Sequence, residues 1–168
     1  MDAKKRVVLY TDGACSGNPG LGGYGGILMY KDVKREYSGA EENTTNNRME
    51  VLAVIEGLKR LKYPCEVDVY SDSAYTVNAF NEGWIYAWRQ KSWKKADGKP
   101  VLNVDLWEEL LKLLTVHQVV FHKVAGHADN EYNNRCDELA RVAIVELRKT
   151  LPPMHEDENE TQNQDTAL

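Results

Sequence analysis

The sequence predicts a single α/β domain built on a mixed five-stranded sheet. Three observations carry that prediction. Residues 7–39 hold three apolar or aromatic runs separated by short turns, helical periodicity begins abruptly near residue 46, and two later strand-like runs, 66–71 and 118–124, each follow a helical stretch. Runs joined by tight turns pair antiparallel, whereas crossovers long enough to hold a helix bring the next strand back parallel.

Residues 7–10 are Val-Val-Leu-Tyr, a short strand that stops at Asp12 and a glycine-rich turn. Residues 24–30 and 35–39 read as the second and third strands, with Lys31 and Asp32 as the hairpin turn between them. Thr44, Thr45, Asn46 and Asn47 supply N-cap chemistry, after which Val51, Leu52, Ile55, Leu58 and Leu61 recur at helical spacing until Pro64. Residues 66–71 alternate as a strand that ends, like the first, on an aspartate, Asp72. Residues 73–81 form a short helix stopped near Gly83, and residues 104–114 an amphipathic helix through Leu106, Trp107, Leu110, Leu111 and Leu114. A strand follows at 118–124, then a loop at 125–130, then a helix from Asn133 or Asn134 carrying Cys136, Leu139, Ala140, Ala143, Ile144 and Leu147. Pro152 and Pro153 end the pattern. The expected organisation is one domain over 1–150 and an acidic, disordered tail over 151–168.

The chain of 168 residues is 42% hydrophobic, enough to bury a core without staples. No apolar run approaches the roughly 18 residues that span a bilayer, and four apolar residues after the charged start are too few for a signal-peptide core. A cytoplasmic protein without membrane attachment is expected. Cys15, Cys65 and Cys136 are odd in number and lack any C-x-x-C pair, so reduced thiols are expected rather than disulfides or zinc. The net charge of −5 lies entirely in the tail, through Glu156, Asp157, Glu158, Glu160 and Asp165. The rest of the chain is neutral, so where its charges stand matters more than their sum. No heptad or spare apolar helix face signals an oligomer, and a monomer is expected.

Asp12, Glu50, Asp72 and Asp137 each fall at a predicted strand end or in the first turns of a helix. In sheets of this type functional groups gather beyond the carboxyl ends of the strands. Asp12 read by itself is equally a turn cap, and all four read separately are ordinary surface acids. Brought together they would repel, and would stay ionised only around cations. An all-oxygen ligand set favours Mg²⁺, with Mn²⁺ as substitute, and two such ions roughly 4 Å apart serve phosphodiester cleavage.

A second feature is the stretch 84–100, which holds Trp84, Trp88, Trp93, Arg89, Lys91, Lys94, Lys95 and Lys99 against one acid, Asp97. Basic side chains here would bind phosphates by counterion release. Trp88 and the more distant Trp107 are expected in the core, since tryptophan is mostly buried. The glycine-rich run 17–26 is no nucleotide-binding loop, because it leads into a strand and lacks the Gly-Lys that such loops require.

Five motifs bring a family into view: Tyr-Thr-Asp-Gly-Ala-Cys-Ser-Gly-Asn-Pro-Gly at 10–20, Thr-Thr-Asn-Asn-Arg-Met-Glu at 44–50, Tyr-Ser-Asp-Ser at 70–73, Gly-His at 126–127 and Asn-Asn-Arg-Cys-Asp-Glu-Leu-Ala at 133–140. Together, over residues 5–147, they closely resemble bacterial-type ribonuclease HI. The resemblance implies the ribonuclease H-like fold and an endonuclease that cuts the RNA strand of RNA–DNA hybrids, leaving 5′-phosphate and 3′-hydroxyl ends. It implies that Asp12, Glu50, Asp72 and Asp137 are the metal-binding acids, holding two Mg²⁺ ions. His127 matches a mobile-loop histidine, and an imidazole there is suited to moving a proton near neutrality. Gly13, Asn18, Thr45, Asn46, Asn47 and Asn133 match substrate-contacting positions, and Trp84, Arg89, Lys91, Lys94 and Lys95 a basic protrusion that grips the DNA strand. Short amide side chains suit 2′-hydroxyls and base edges in a shallow minor groove. Asn46 and Asn47 also serve as helix-cap candidates. His117, His122 and His155 carry no motif and read as solvated. Ala14 and Ala74 depart from the polar residues familiar at those places. Two rivals remain, a non-catalytic hybrid-binding module and a DNA nuclease of the same fold; the complete set of four acids argues against the first, and the asparagines with the basic segment argue against the second.

Overall fold

The computed structural model describes residues 4–125 and 130–152. Five strands, Lys5–Gly17 (β1), Gly20–Tyr30 (β2), Val33–Thr44 (β3), Cys65–Ser71 (β4) and Gln118–Lys123 (β5), form one sheet in the order β3-β2-β1-β4-β5. β1, β2 and β3 pair antiparallel, while β4 and β5 join in parallel. The helices are Asn46–Lys59 (α1), Ala74–Asn81 (α2), Trp84–Gln90 (α3), Val104–Val116 (α4) and Glu131–Thr150 (α5). The predicted architecture and the mixed pairing are both present. None of these helices is long and apolar enough to cross a membrane.

Where the two halves of the sheet meet, β1 differs from the sequence reading. It does not stop at Asp12 but continues to Gly17, paired residue for residue with β2 until Gly17 meets Gly20. Its pairing with β4 does end early, at Tyr10 opposite Tyr70. Asp12 therefore stands inside a strand, two residues past the point where one neighbour is lost. The actual turn is Asn18 and Pro19, joined by a cis peptide bond. The backbone of β2 sustains this ladder through glycines that periodicity cannot register as strand.

Those glycines bring α5 close. A Cβ on Gly25 would lie 2.6 Å from the carbonyl oxygen of Cys136 and 2.7 Å from Cβ of Leu139, so only a bare backbone lets α5 settle there. Gly25→Ala should therefore lift the helix that carries Asp137 and cost about 1–3 kcal/mol, as overpacked cores do. A denaturant midpoint unchanged from the parent would contradict that.

On the opposite face, α1 packs over β1 and β2 and against α4. Leu9, Met49, Val51, Val54, Ile55, Leu58, Val67, Val69, Trp107 and Leu110 are fully or nearly fully buried here. Trp107 is in the core as expected, and half-buried Trp88 packs against the same cluster. α5 begins at Glu131, earlier than the sequence suggested, because Asn130 caps it by accepting the N–H of Asn133. Likewise Thr45, rather than Asn46 or Asn47, caps α1 through its hydroxyl on the N–H of Arg48.

Two histidines depart from the solvated reading. His117 is buried, its Nδ1 accepts the N–H of Cys65 at 3.1 Å, and burial holds its pKa below the ordinary value. His122 stacks on Tyr70 and lies 2.8 Å from Asp68, joining β5 to β4. All three cysteines are free. The acidic stretch beyond residue 152, with His155, lies outside the described residues, as does His127.

Candidate active site

Three of the four predicted acids converge. Carboxylate oxygens of Asp12 from β1, Glu50 from the second turn of α1 and Asp72 just past the end of β4 lie within 4.8 Å of one another. The sheet brings the two aspartates together, since each stands two residues beyond the final β1–β4 pair. Gly13 brings in Glu50: a Cβ there would sit 2.5 Å from the Glu50 nitrogen, so its missing side chain allows α1 to press against β1. The Gly13 backbone also stands close enough to both carboxylates to favour their charged forms, against the effect of burial.

Asp12 and Glu50 are 5% exposed. Burial first, and then the neighbouring Asp72 charge, push the Asp12 carboxyl up to about 7. Burial and the Asp12 carboxylate drive Glu50 in the same direction. Oε2 of Glu50 is buried with no hydrogen-bond partner among the described residues. Clustered carboxylates that resist ionisation, one with an oxygen left unpaired, are what a hard divalent cation would satisfy. The donor set, oxygen only, fits Mg²⁺ or Mn²⁺.

Asp137 is set back from these three. It is close enough to Asp12 to raise that group's pKa, yet 42% of its side chain is exposed and Oδ2 pairs with Nε of Arg141 at 2.9 Å. It thus stands at the rim of the cluster, paired with Arg141.

The predicted substrate residues divide by exposure. Asn46, Asn47 and Asn18 are exposed, and Asn18 Oδ1 accepts the N–H of Asn46 at 3.4 Å, tying the β1–β2 turn to the start of α1. Thr45 is half-buried as the cap. Gly13 and Asn133 are buried, so neither presents an open surface. Trp84, Arg89, Lys91, Lys94 and Lys95 are all exposed on α3 and the segment after it, which returns through a bridge between Lys94 and Pro100. Sequence reasoning gave no role to Arg48, Asn103 or Tyr75, whose side chains link these regions; the partners stand too far apart in the chain for spacing to reveal them.

The sheet order and acidic centre define a ribonuclease H-type domain, and comparison with known proteins agrees. A family model described as RNase H matches residues 4–145. Ribonuclease H of Chlorobium limicola is 64% identical over 141 residues, covering 84% of this chain and 97% of its own length. Ribonuclease H of Chlorobaculum parvum is 60% identical over 143 residues, covering 85% and 98%. Among solved structures, LC9-RNase H1, described as a type 1 RNase H with the type 2 active-site motif, superposes with a TM-score of 0.77 at 30% identity, covering 86% of this chain and 74% of that one. LC11-RNase H1, solved in complex with an RNA/DNA hybrid, gives 0.64 at 26%, covering 84% and 98%. The chain belongs to the ribonuclease H family.

Proposed function

We propose that this chain is an endonuclease that hydrolyses the RNA strand of RNA–DNA hybrids with divalent metal, leaving 5′-phosphate and 3′-hydroxyl ends. The observation that carries the reading is the convergence of Asp12, Glu50 and Asp72 at the end of the β1–β4 pairing, in a family fold whose relative LC11-RNase H1 was solved on such a hybrid. Asp12, Glu50 and Asp72 hold the metal, with Asp137 contributing from the rim. Divalent cations, two of them by the family resemblance, supply charge neutralisation at the phosphate and the activation of water for in-line attack.

The residues do the rest. Thr45, Asn46, Asn47 and Asn18 line the approach with short donors and acceptors suited to the minor groove of a hybrid. Trp84, Arg89, Lys91, Lys94 and Lys95 hold the DNA strand by its phosphates. His127, which precedes α5 in the chain, moves a proton at the departing product, and Gly13 and Asn133 support the contact surface from beneath. We assign residues 1–150 to the catalytic domain and 151–168 to an appended acidic tail, and place the protein in the cytoplasm as a monomer.

Labelled RNA–DNA, RNA–RNA and DNA–DNA duplexes incubated with Mg²⁺ or with EDTA test this directly. The RNA strand of the hybrid alone should be cut, and only with metal. A hybrid left whole, or duplex DNA cut at a similar rate, would overturn the reading.

A further inference from the structure

Arg48 joins three segments that the sequence keeps far apart. It stands in the first turn of α1, directly after Asn46 and Asn47 and two residues before Glu50. Its Nη1 donates to Oδ1 of Asn103 at 3.1 Å and to Oδ1 of Asp105 at 3.0 Å, and its Nη2 donates to Oδ2 of Asp105 at 2.8 Å. Such a paired fork fixes a guanidinium in plane as well as in distance. Asn103 in turn donates from Nδ2 to the hydroxyl of Tyr75 at 3.1 Å, on α2 shortly after Asp72.

Asn103 is the residue from which α4 starts, and its backbone is left-handed, with φ of 65°. Its carbonyl accepts the N–H groups of Leu106 and Trp107. Just before it, the basic segment closes on itself, the N–H of Val101 donating to the carbonyl of Trp93 at 2.9 Å. Whatever holds Asn103 therefore holds the root of that segment. The Arg48 side chain is 29% exposed and that of Asp105 66%, so solvent screens the carboxylate while the guanidinium is held among the three segments.

We propose that Arg48 is a positioning residue: through Asp105 and Asn103 it sets the separation between the asparagine end of α1 and Lys91, Lys94 and Lys95, so that one duplex engages both. The inference rests on the hybrid-cleaving function proposed above. A duplex is a stiff ligand, and two grips on it act together only when their spacing is fixed in advance. Arg48 sets that spacing without touching the reacting phosphate.

Asp105→Ala leaves Arg48 in place and Arg48→Ala leaves Asp105, so the pair can be tested from both sides. Each variant and the double variant are assayed on a long hybrid that reaches the basic segment and on a short one that covers only the carboxylates. On the long hybrid each single variant should raise KM about fivefold with kcat within about twofold, and the double variant should be no worse than either, as for two residues acting through one contact. On the short hybrid KM should not move. A parental KM in Asp105→Ala overturns the proposal, as does an equal rise on both hybrids, which is what a merely loosened fold would give. A larger effect of Arg48→Ala that adds to Asp105→Ala in the double variant also overturns it, since Arg48 would then meet a phosphate itself. Failure of the parent to cut any hybrid defeats the functional reading instead; dissociation constants for the two hybrids in EDTA then read the positioning by the same criteria.

Discussion

Asp12→Asn should lower the rate of hybrid hydrolysis by at least about a thousandfold, well beyond the ten- to hundredfold lost when a group merely supporting a metal ligand is removed. Asparagine keeps the size and one oxygen of the side chain but cannot carry the charge that a hard cation requires. Asp12 is the member of the cluster that faces all the others: Glu50 and Asp72 lie within 4.8 Å of it, and Asp137 acts on it from the rim. Hybrid binding should persist, because the exposed asparagines and the basic segment are untouched. Without metal the variant should be more stable than the parent, since a buried charge facing two others has been removed. Single-turnover cleavage, binding in EDTA and thermal unfolding in EDTA measure the three effects. Cleavage within tenfold of the parent would show that Asp12 is not a metal ligand.

The metal-free protein should lose stability as pH rises, against the usual trend for a carboxylate-rich domain. The Asp12 carboxyl has an ordinary value of 3.8 and rises to about 7 in the fold. Between those values the folded chain holds a proton that the unfolded chain has released, so stability falls through this window as pH increases. At about 1.4 kcal/mol per unit the full effect is at most ~4 kcal/mol, and Glu50 acts in the same direction. Other acids oppose it. Glu36 is held low by its hydrogen bond to Arg135, Asp68 by His122 and Asp105 by Arg48, and these contribute stability that is lost as pH falls. They are common to the parent and to Asp12→Asn, so the difference between the two proteins isolates the cluster. In EDTA that difference in unfolding temperature should widen by several degrees between pH 5 and pH 8, and Mg²⁺ should stabilise the parent far more at pH 8 than at pH 5. An equal Mg²⁺ effect at both pH values would contradict the linkage.

How much of this was legible depended on whether side chains or bare backbone made the structure. β4 could be read because Val67 and Val69 alternate with Glu66 and Asp68, and α4 because Leu106, Trp107 and Leu110 share one face. The far half of β1 could not be read, because its pairing with Gly20, Gly22 and Gly23 is made by main-chain groups that leave no periodic mark. The motifs put Asp12, Glu50, Asp72 and Asp137 in one set, and the fold brings the first three of them together. The set-back position of Asp137 was hidden, since it depends on how α5 seats on glycine and on the ion pair with Arg141. The sequence marks Gly13 as a substrate-contacting position but gives no sign of its packing role, in which its missing side chain admits α1. The Arg48 link could not be foreseen, because Asp105 lies 57 residues further along the chain.

The register that ends at Tyr10 and Tyr70 has a consequence for how the centre can adapt. Asp12 is still held in the β1–β2 ladder opposite Gly25, whereas Asp72 stands one residue past the end of β4, beyond the last β1–β4 pair. Glu50 rides on a helix outside that ladder. Adjustment to cations of different radius is thus divided unequally: Asp12, fixed in its strand, answers by a change of rotamer, Asp72 has the main chain after β4 to move as well, and Glu50 follows the ion with a longer arm on a separate platform.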